Sequence, residues 1–253
     1  MPDSLRRLKS QRKIVALTAY DYSMARILSD AGVDLLLVGD SLGMVVLGYP
    51  STHFVTMEDM IRHTQAVVRG HSSGLVVADM PIGSCDTVEL ALENCHRMVK
   101  ETGVKAVKIE GMSEICAAVV ASGIAVMGHT GLKPQTAERM AVHGKTEPEA
   151  EAIFEEALAL ERAGCFSVVL ECVPTTLAKR ITEVLTIPTV GIGAGPHCDG
   201  QILVSHDLLG LYPDFRPKFV KRYADLKGVI SEAVEHYKNE IQEGQFPSEK
   251  ESF

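Results

Sequence analysis

Short apolar runs return along this chain at regular intervals, and most close on a polar or small residue. They are IVALTAY (14–20), LLLVGD (35–40), LVVADM (75–80), AVKIEG (106–111), IAVMGHT (124–130), SVVLEC (167–172) and PTVGIGAG (188–195), with QILVSHD (201–207) a weaker eighth. Between them, stretches such as TMEDMIRHTQAVVRG and TVELALENCHRMVKETG place apolar residues every three or four positions, the spacing of an amphipathic helix. Several of these stretches end in Gly just before the next run, which suits a left-handed helix C-cap. Strand and helix in alternation predict parallel strands joined by helical crossovers. About eight continuous apolar strands in 253 residues favour an α/β fold of the (β/α)8 TIM-barrel type over an open doubly wound sheet. A dinucleotide-binding sheet would also want Gly-x-Gly-x-x-Gly after an early strand. The nearest run, GIGAGPHCDG, comes late with a different spacing. It reads as tight turns after a strand, or as a place where a ligand approaches the backbone.

Composition narrows the picture without changing it. A chain with 46% hydrophobic residues can bury a full core. No Pro-, Ser- or Gly-rich linker divides it, so one barrel domain is expected over 1–253, with a helical N-terminal extension at 1–13 and a polar C-terminal tail at 239–253. A net charge of −8 argues against a nucleic-acid surface, which needs clustered Lys and Arg. No apolar run approaches the roughly 20 residues of a membrane span, and no apolar signal core opens the chain. A soluble cytoplasmic protein is expected. Cysteines at 85, 95, 116, 165, 172 and 198 show no Cys-x-x-Cys pair, so reduced, buried thiols are expected in place of a disulfide framework or thiolate metal site. A nucleophilic Cys172 is the less favoured reading of that residue.

The polar residues that close the apolar runs carry the chemistry. Asp40, Asp79, Glu110 and Glu171 all stand at predicted strand ends, and His129 shares that position. In a parallel barrel every strand points its C-terminal end at the same face, where the active site forms. Carboxylates gathered there raise one another's pKa, and a cation keeps them ionised. An oxygen-only donor set suits a hard ion, with Mg²⁺ the expected one. A rim of solvated acids is the plainer alternative. Lys108 and Glu110 lie two apart on one strand and so face the same way. Lys108 would hold a substrate carboxylate, form a Schiff base if desolvated, or pair with Glu110. Ser41 would contact ligand or cap a helix, and His129 would contact ligand or sit as a satisfied rim histidine.

The blocks LTAYDYSMARILSDAGVDLLLVGDSLGMVVLGYPST, VTMEDMIRHTQAVVRG, VADMPIGS, VKIEG, GHTGLKPQ, LECVP, IPTVGIGAG and DGQILVSHDLLGL, in this order, resemble the ketopantoate hydroxymethyltransferase family. The resemblance runs from about residue 5 to the tail FPSEKESF. It implies a Mg²⁺-dependent (β/α)8 barrel that transfers a hydroxymethyl group from 5,10-methylenetetrahydrofolate to 3-methyl-2-oxobutanoate, forming 2-dehydropantoate in pantothenate biosynthesis. By matching motifs, Asp40 and Asp79 become metal ligands and Glu110 a further one, acting directly or through water. Asp40, Ser41, Asp79 and Lys108 become contacts to the oxo acid, and Glu171 the proton acceptor. A homo-oligomer, commonly a decamer, is implied too. Two departures stand out: TAERMAVHGKTEPE (136–149) replaces the family's usual glycine- and aromatic-containing loop ending in Lys-x-Gln-Gly, and Ile82 stands where Phe is commoner. The readings that compete with this one are a Mg²⁺-dependent barrel lyase or aldolase for another 2-oxo acid, and a catalytically silent barrel.

Overall fold

The computed structural model describes residues 2–137, 141–212 and 217–253; part of the departing loop at 136–149 lies outside them. Two compact units are present, 1–204 and 205–253. The first runs α1 (Pro2–Leu8), β1 (Ile14–Thr18), α2 (Tyr22–Asp30), β2 (Leu35–Val38), α3 (Leu42–Val45), α4 (Met57–Gly70), β3 (Leu75–Asp79), α5 (Val88–Thr102) and β4 (Ala106–Glu110). It continues with α6 (Ser113–Ala121), β5 (Ala125–Gly131), α7 (Glu147–Arg162), β6 (Ser167–Glu171), α8 (Thr175–Val184), β7 (Thr189–Ile192) and β8 (Gly200–Leu203). The eight strands pair in sequence order, all parallel, and β8 returns to β1, closing a (β/α)8 barrel.

Local signals set the boundaries. Thr56 and Asp59 form a reciprocal capping box at the start of α4, which satisfies two otherwise orphaned backbone donors. Thr87 caps α5, and Gly103, at φ 77°, ends it in the left-handed conformation. The predicted run 188–195 stops pairing after Ile192, where Gly193 and Gly195 turn the chain at positive φ. The run 201–207 is cut shorter still: β8 ends at Leu203 and a helix, α9 (Ser205–Leu209), begins in what the apolar pattern marks as strand.

Side chains alternate across a strand, so every second residue of each barrel strand faces the interior. The lower interior is apolar: Leu35, Leu37, Leu75, Val77, Ala106, Met127, Val169 and Val190 pack with Leu5 of α1 in one cluster. Continuing the same parity toward the C-terminal end gives Asp79 above Val77, Lys108 and Glu110 above Ala106, His129 above Met127 and Glu171 above Val169. Register brings neighbours together, pairing Asp79 with Lys108 and Glu110 with His129. One barrel is thus filled with oil below and with ionisable groups above.

The described residues of the second unit include α9, α10 (Leu226–Gln242) and a 3₁₀ turn at Glu249–Glu251. Asp225 caps α10 through the Gly228 amide at 3.2 Å. None of the α10 residues is buried, and Ile230, Val234, Tyr237 and Ile241 follow a helical spacing along it.

Gly131 closes β5 at φ 92°, and its amide neighbour Leu132 donates to the Glu171 carbonyl at 2.8 Å. A Cβ at residue 131 would collide with that carbonyl oxygen and crowd Val173. Gly131→Ala is therefore expected to destabilise the barrel by about 1–3 kcal/mol from backbone strain alone, read as a lower urea midpoint. An unchanged midpoint would show that β5 and β6 tolerate separation here.

Candidate active site

The expected residues converge. At the C-terminal mouth of the barrel, Asp79, Lys108, Glu110, Asp40 and His129 are all buried, and Glu171 keeps 15% of its side chain exposed. Lys108 Nζ donates to both carboxylate oxygens of Asp79 at 2.8 Å and reaches Glu110 Oε1 at 3.4 Å. The pairing expected with Glu110 is thus the weaker of two, and Asp79 is the main partner. Burial by itself would lower the Lys108 pKa, but Asp79, Glu110 and Asp40 together outweigh it and hold the ammonium protonated. A protonated amine locked on Asp79 is no nucleophile, which disfavours the Schiff-base reading.

Asp40 follows β2, which raises it above the strand. Its carboxyl is pushed up by burial and by Glu110, against the pull of Lys108, of a hydrogen bond from Gln135 and of the Ser41 amide. Ser41 stands at the N-cap position of α3 without making a side-chain cap, and its Oγ meets the Tyr20 hydroxyl at 2.8 Å. The capping role considered for Ser41 is therefore not the one its side chain adopts.

His129 lies between the two remaining acids. Its Nε2 is 2.6 Å from the Leu132 carbonyl oxygen, an acceptor only, so the proton sits on Nε2 and Nδ1 carries the lone pair. Nδ1 is 3.8 Å from Glu110 Oε1 and has no hydrogen-bond partner among the described residues, while Nε2 is 3.7 Å from Glu171 Oε2. Burial, then the nearby Lys108 charge, lowers the His129 pKa well below its usual value. The ring is neutral at neutral pH. Glu171 shifts the other way: burial, with help from Glu110, Asp40 and Asp79 and against Lys108, raises its carboxyl to about 8. Its neighbour Cys172 is pushed up to about 12 by burial and by Glu171, which removes the thiolate a catalytic cysteine requires.

Gln135 escapes a reading of the sequence. Its Nε2 donates to Asp40 Oδ2 at 3.0 Å and to the Met80 carbonyl at 2.9 Å, and its backbone N–H reaches Glu110 Oε2 at 3.3 Å. It borders a small cavity shared with Met80, Pro81, Ile82, Ile109 and Glu110, which puts Ile82 in the wall of the mouth. Nothing in GHTGLKPQ marks the Gln, because its place depends on how the loop folds back over the barrel.

The donor chemistry suits a hard cation. Asp40, Asp79 and Glu110 bring three carboxylates into a buried space with one ammonium, and burial raises Asp40 and Asp79, so a cation beside them would favour their ionised forms. Among the described residues no three His, Cys, Asp or Glu side chains already form a cation cage. Mg²⁺ commonly takes one or two carboxylates and completes its octahedron with water and substrate oxygens, so the donor set fits without one.

Solved structures of other proteins share the fold. Phosphonopyruvate hydrolase superposes with a TM-score of 0.66 at 12% identity, over 100% of this chain and 90% of that one. The 2,3-dimethylmalate lyase, of the phosphoenolpyruvate mutase/isocitrate lyase superfamily, gives 0.62 at 18%, over 100% and 91%. Closed barrel and acid-lined mouth together define a (β/α)8-barrel protein with a candidate site at the C-terminal face. Residues 2–249 match the model of ketopantoate hydroxymethyltransferase. The 3-methyl-2-oxobutanoate hydroxymethyltransferases of Heliobacterium modesticaldum and Thermus thermophilus are 51% and 52% identical to this chain, covering 100% and 98% of it and 94% and 97% of their own lengths. This chain belongs to the ketopantoate hydroxymethyltransferase family.

Replacing Lys108 tests the charge balance. Lys108→Met strands buried carboxylates, at an expected loss of about 3–5 kcal/mol near pH 8. The sign follows from linkage: stranded acids have folded pKa values above their unfolded ones, so the folded variant binds the extra protons and loses stability as pH rises through those values. Urea unfolding of variant and wild type should show a deficit that grows from pH 5 to pH 8; a pH-independent deficit would mean lost packing only.

Proposed function

We propose that this protein transfers a hydroxymethyl group from 5,10-methylenetetrahydrofolate to 3-methyl-2-oxobutanoate, forming 2-dehydropantoate. The observation that carries the reading is the contrast at the mouth: burial raises both Glu171 and Asp79 to about 8, but Glu171 keeps contact with the exterior and has no ammonium partner among the described residues, while Asp79 is held by a buried one. A base near neutral pKa beside a fixed cationic centre is what proton abstraction next to a 2-oxo acid needs. Family membership supplies the substrate.

In this reading Asp40 and Asp79 would hold Mg²⁺, with Glu110 acting directly or through water. Bound there, the ion would polarise the 2-oxo group and so acidify the C3–H bond. Glu171 takes the C3 proton, and the electron pair left on C3 forms the new bond to the one-carbon unit at the formaldehyde oxidation level. Water supplies the hydroxyl oxygen and tetrahydrofolate leaves. Lys108, kept protonated by its acids, provides a fixed charge for the substrate carboxylate, and Asp40 and Ser41 border the same space. Neutral His129 stands next to Glu171 without competing for the proton. The homo-oligomer implied by the family is supported by the apolar residues spaced along α10.

Proton removal can be observed without folate. In deuterated water with Mg²⁺ and 3-methyl-2-oxobutanoate, the wild-type chain is expected to exchange the C3 hydrogen. Glu171→Gln, which keeps the shape and cannot accept a proton, should lower that rate by roughly 10²–10⁴ with substrate still bound. The rate per bound substrate should rise with pH, since the ionised form of Glu171 is the active one, with a midpoint at or below about 8 because a bound cation favours the carboxylate. Wild-type exchange in Glu171→Gln would assign the base elsewhere. Product formation by the wild type without methylenetetrahydrofolate, from a different 2-oxo acid, would favour a lyase or aldolase.

A further inference from the structure

The loop after β5 does more than connect. Lys133 Nζ binds Glu156 of α7 at 2.8 Å, Thr130 bonds the other oxygen of that carboxylate, and the amides of Thr136 and Ala137 close a turn on the Lys133 carbonyl. His53 meets the Pro134 carbonyl at 3.3 Å. The turn is tied down on both sides, and Gln135 projects from it into the barrel mouth, where it is 6% exposed.

The orientation of the Gln135 amide follows from its partners. Asp40 Oδ2 and the Met80 carbonyl are both acceptors, so the group facing them is the NH₂, and both of its protons are committed. The backbone N–H of the same residue is committed to Glu110 Oε2. One residue therefore occupies one oxygen of Asp40 and one oxygen of Glu110. Gln135 leaves the second oxygen of each carboxylate uncovered: Oδ1 of Asp40, a carboxylate that also accepts from the Ser41 amide, and Oε1 of Glu110, the atom on the Lys108 side at 3.4 Å.

We infer that Gln135 is a positioning residue for cation binding: its amide and backbone N–H fix the rotamers of Asp40 and Glu110 so that one oxygen of each remains available to a divalent cation. Partners behind the ligands of a metal site orient them and commonly contribute 10- to 100-fold in affinity. The inference rests on the Mg²⁺ reading above and extends it to a residue outside the ligand set. Its chemistry is specific to a donor. A side chain of equal length without N–H groups would fill the space and leave Asp40 with the Ser41 amide as its remaining donor, freer to turn toward Lys108.

The test is direct Mn²⁺ binding to the chelator-stripped full chain, read from the electron paramagnetic resonance signal of free Mn²⁺. Gln135→Met is expected to weaken binding by about 10- to 100-fold while circular dichroism stays unchanged. Lys133→Met loosens the same turn without touching a carboxylate of the site, and is expected to bind Mn²⁺ as the wild type does. Gln135→Leu repeats the loss of donors with a different shape in case Met does not fold. Unchanged affinity in a folded Gln135 variant overturns the inference, and so does an equal loss in Lys133→Met, which would assign the effect to loop rigidity. If neither Gln135 variant folds while Lys133→Met does, Gln135 is needed for folding and the positioning role falls. A wild-type chain that binds no Mn²⁺ removes the metal reading and this inference with it, an outcome distinct from normal wild-type binding with insensitive variants.

Discussion

The ammonium of Lys108 stands inside the barrel with both oxygens of Asp79 at 2.8 Å and Glu110 at 3.4 Å, and the upper half of the interior depends on it. Burial and neighbouring acids raise Asp79 and Asp40, and the Lys108 charge is what pulls both back toward their ionised forms. A buried ion pair is a poor source of net stability, since desolvation consumes much of the Coulomb gain. What the pair provides is order: it keeps Asp79 in one rotamer and places a permanent charge where an anionic ligand can meet it. The neutral state of His129 follows first from burial, and the same Lys108 charge adds to it in lowering its pKa.

The apolar half of the barrel makes this arrangement possible. Val77, Ala106, Met127 and Val169 fill the interior directly below the polar layer, so the ionisable groups rest on a dry floor and face one opening. Low effective dielectric strengthens every interaction above that floor. Glu171 lies at the edge of the layer, close enough to be raised to about 8 and open enough to exchange protons with what enters. Acids of one chemical type thus take different roles through depth and partner together. Asp79 is neutralised by an ammonium, Asp40 is held by an amide, and Glu171 is left basic and accessible.

The relatives place these findings on two scales. Likeness to phosphonopyruvate hydrolase and 2,3-dimethylmalate lyase, at 12% and 18% identity, is likeness of backbone: the barrel and its closed order of strands. Likeness to the hydroxymethyltransferases, at 51% and 52% over 100% and 98% of this chain, is likeness of sequence along nearly its whole length. The turn that reaches into the mouth lies within the block GHTGLKPQ, and the departing stretch 136–149 begins one residue after Gln135.

The alternation of apolar runs and amphipathic stretches determined the barrel, because hydrophobic periodicity is local and a parallel strand buried on both faces reads as a continuous apolar segment. The placement of Asp79, Glu110, His129 and Glu171 at one face was legible for the same reason: in a parallel barrel the end of a strand is an address. QILVSHD misled because its apolar half pairs as β8 whereas Ser205 onward coils into α9, a choice that the short pattern does not encode. Partners were decided only in three dimensions. Lys108 turns to Asp79 on the neighbouring strand more closely than to Glu110 on its own, since register sets the cross-strand distance. Ser41 meets Tyr20 in place of the α3 backbone. Gln135 spans 95 positions of sequence to reach Asp40, and a hydrogen bond of that kind leaves no periodicity or spacing to be read, because it exists only once the loop has folded over the barrel.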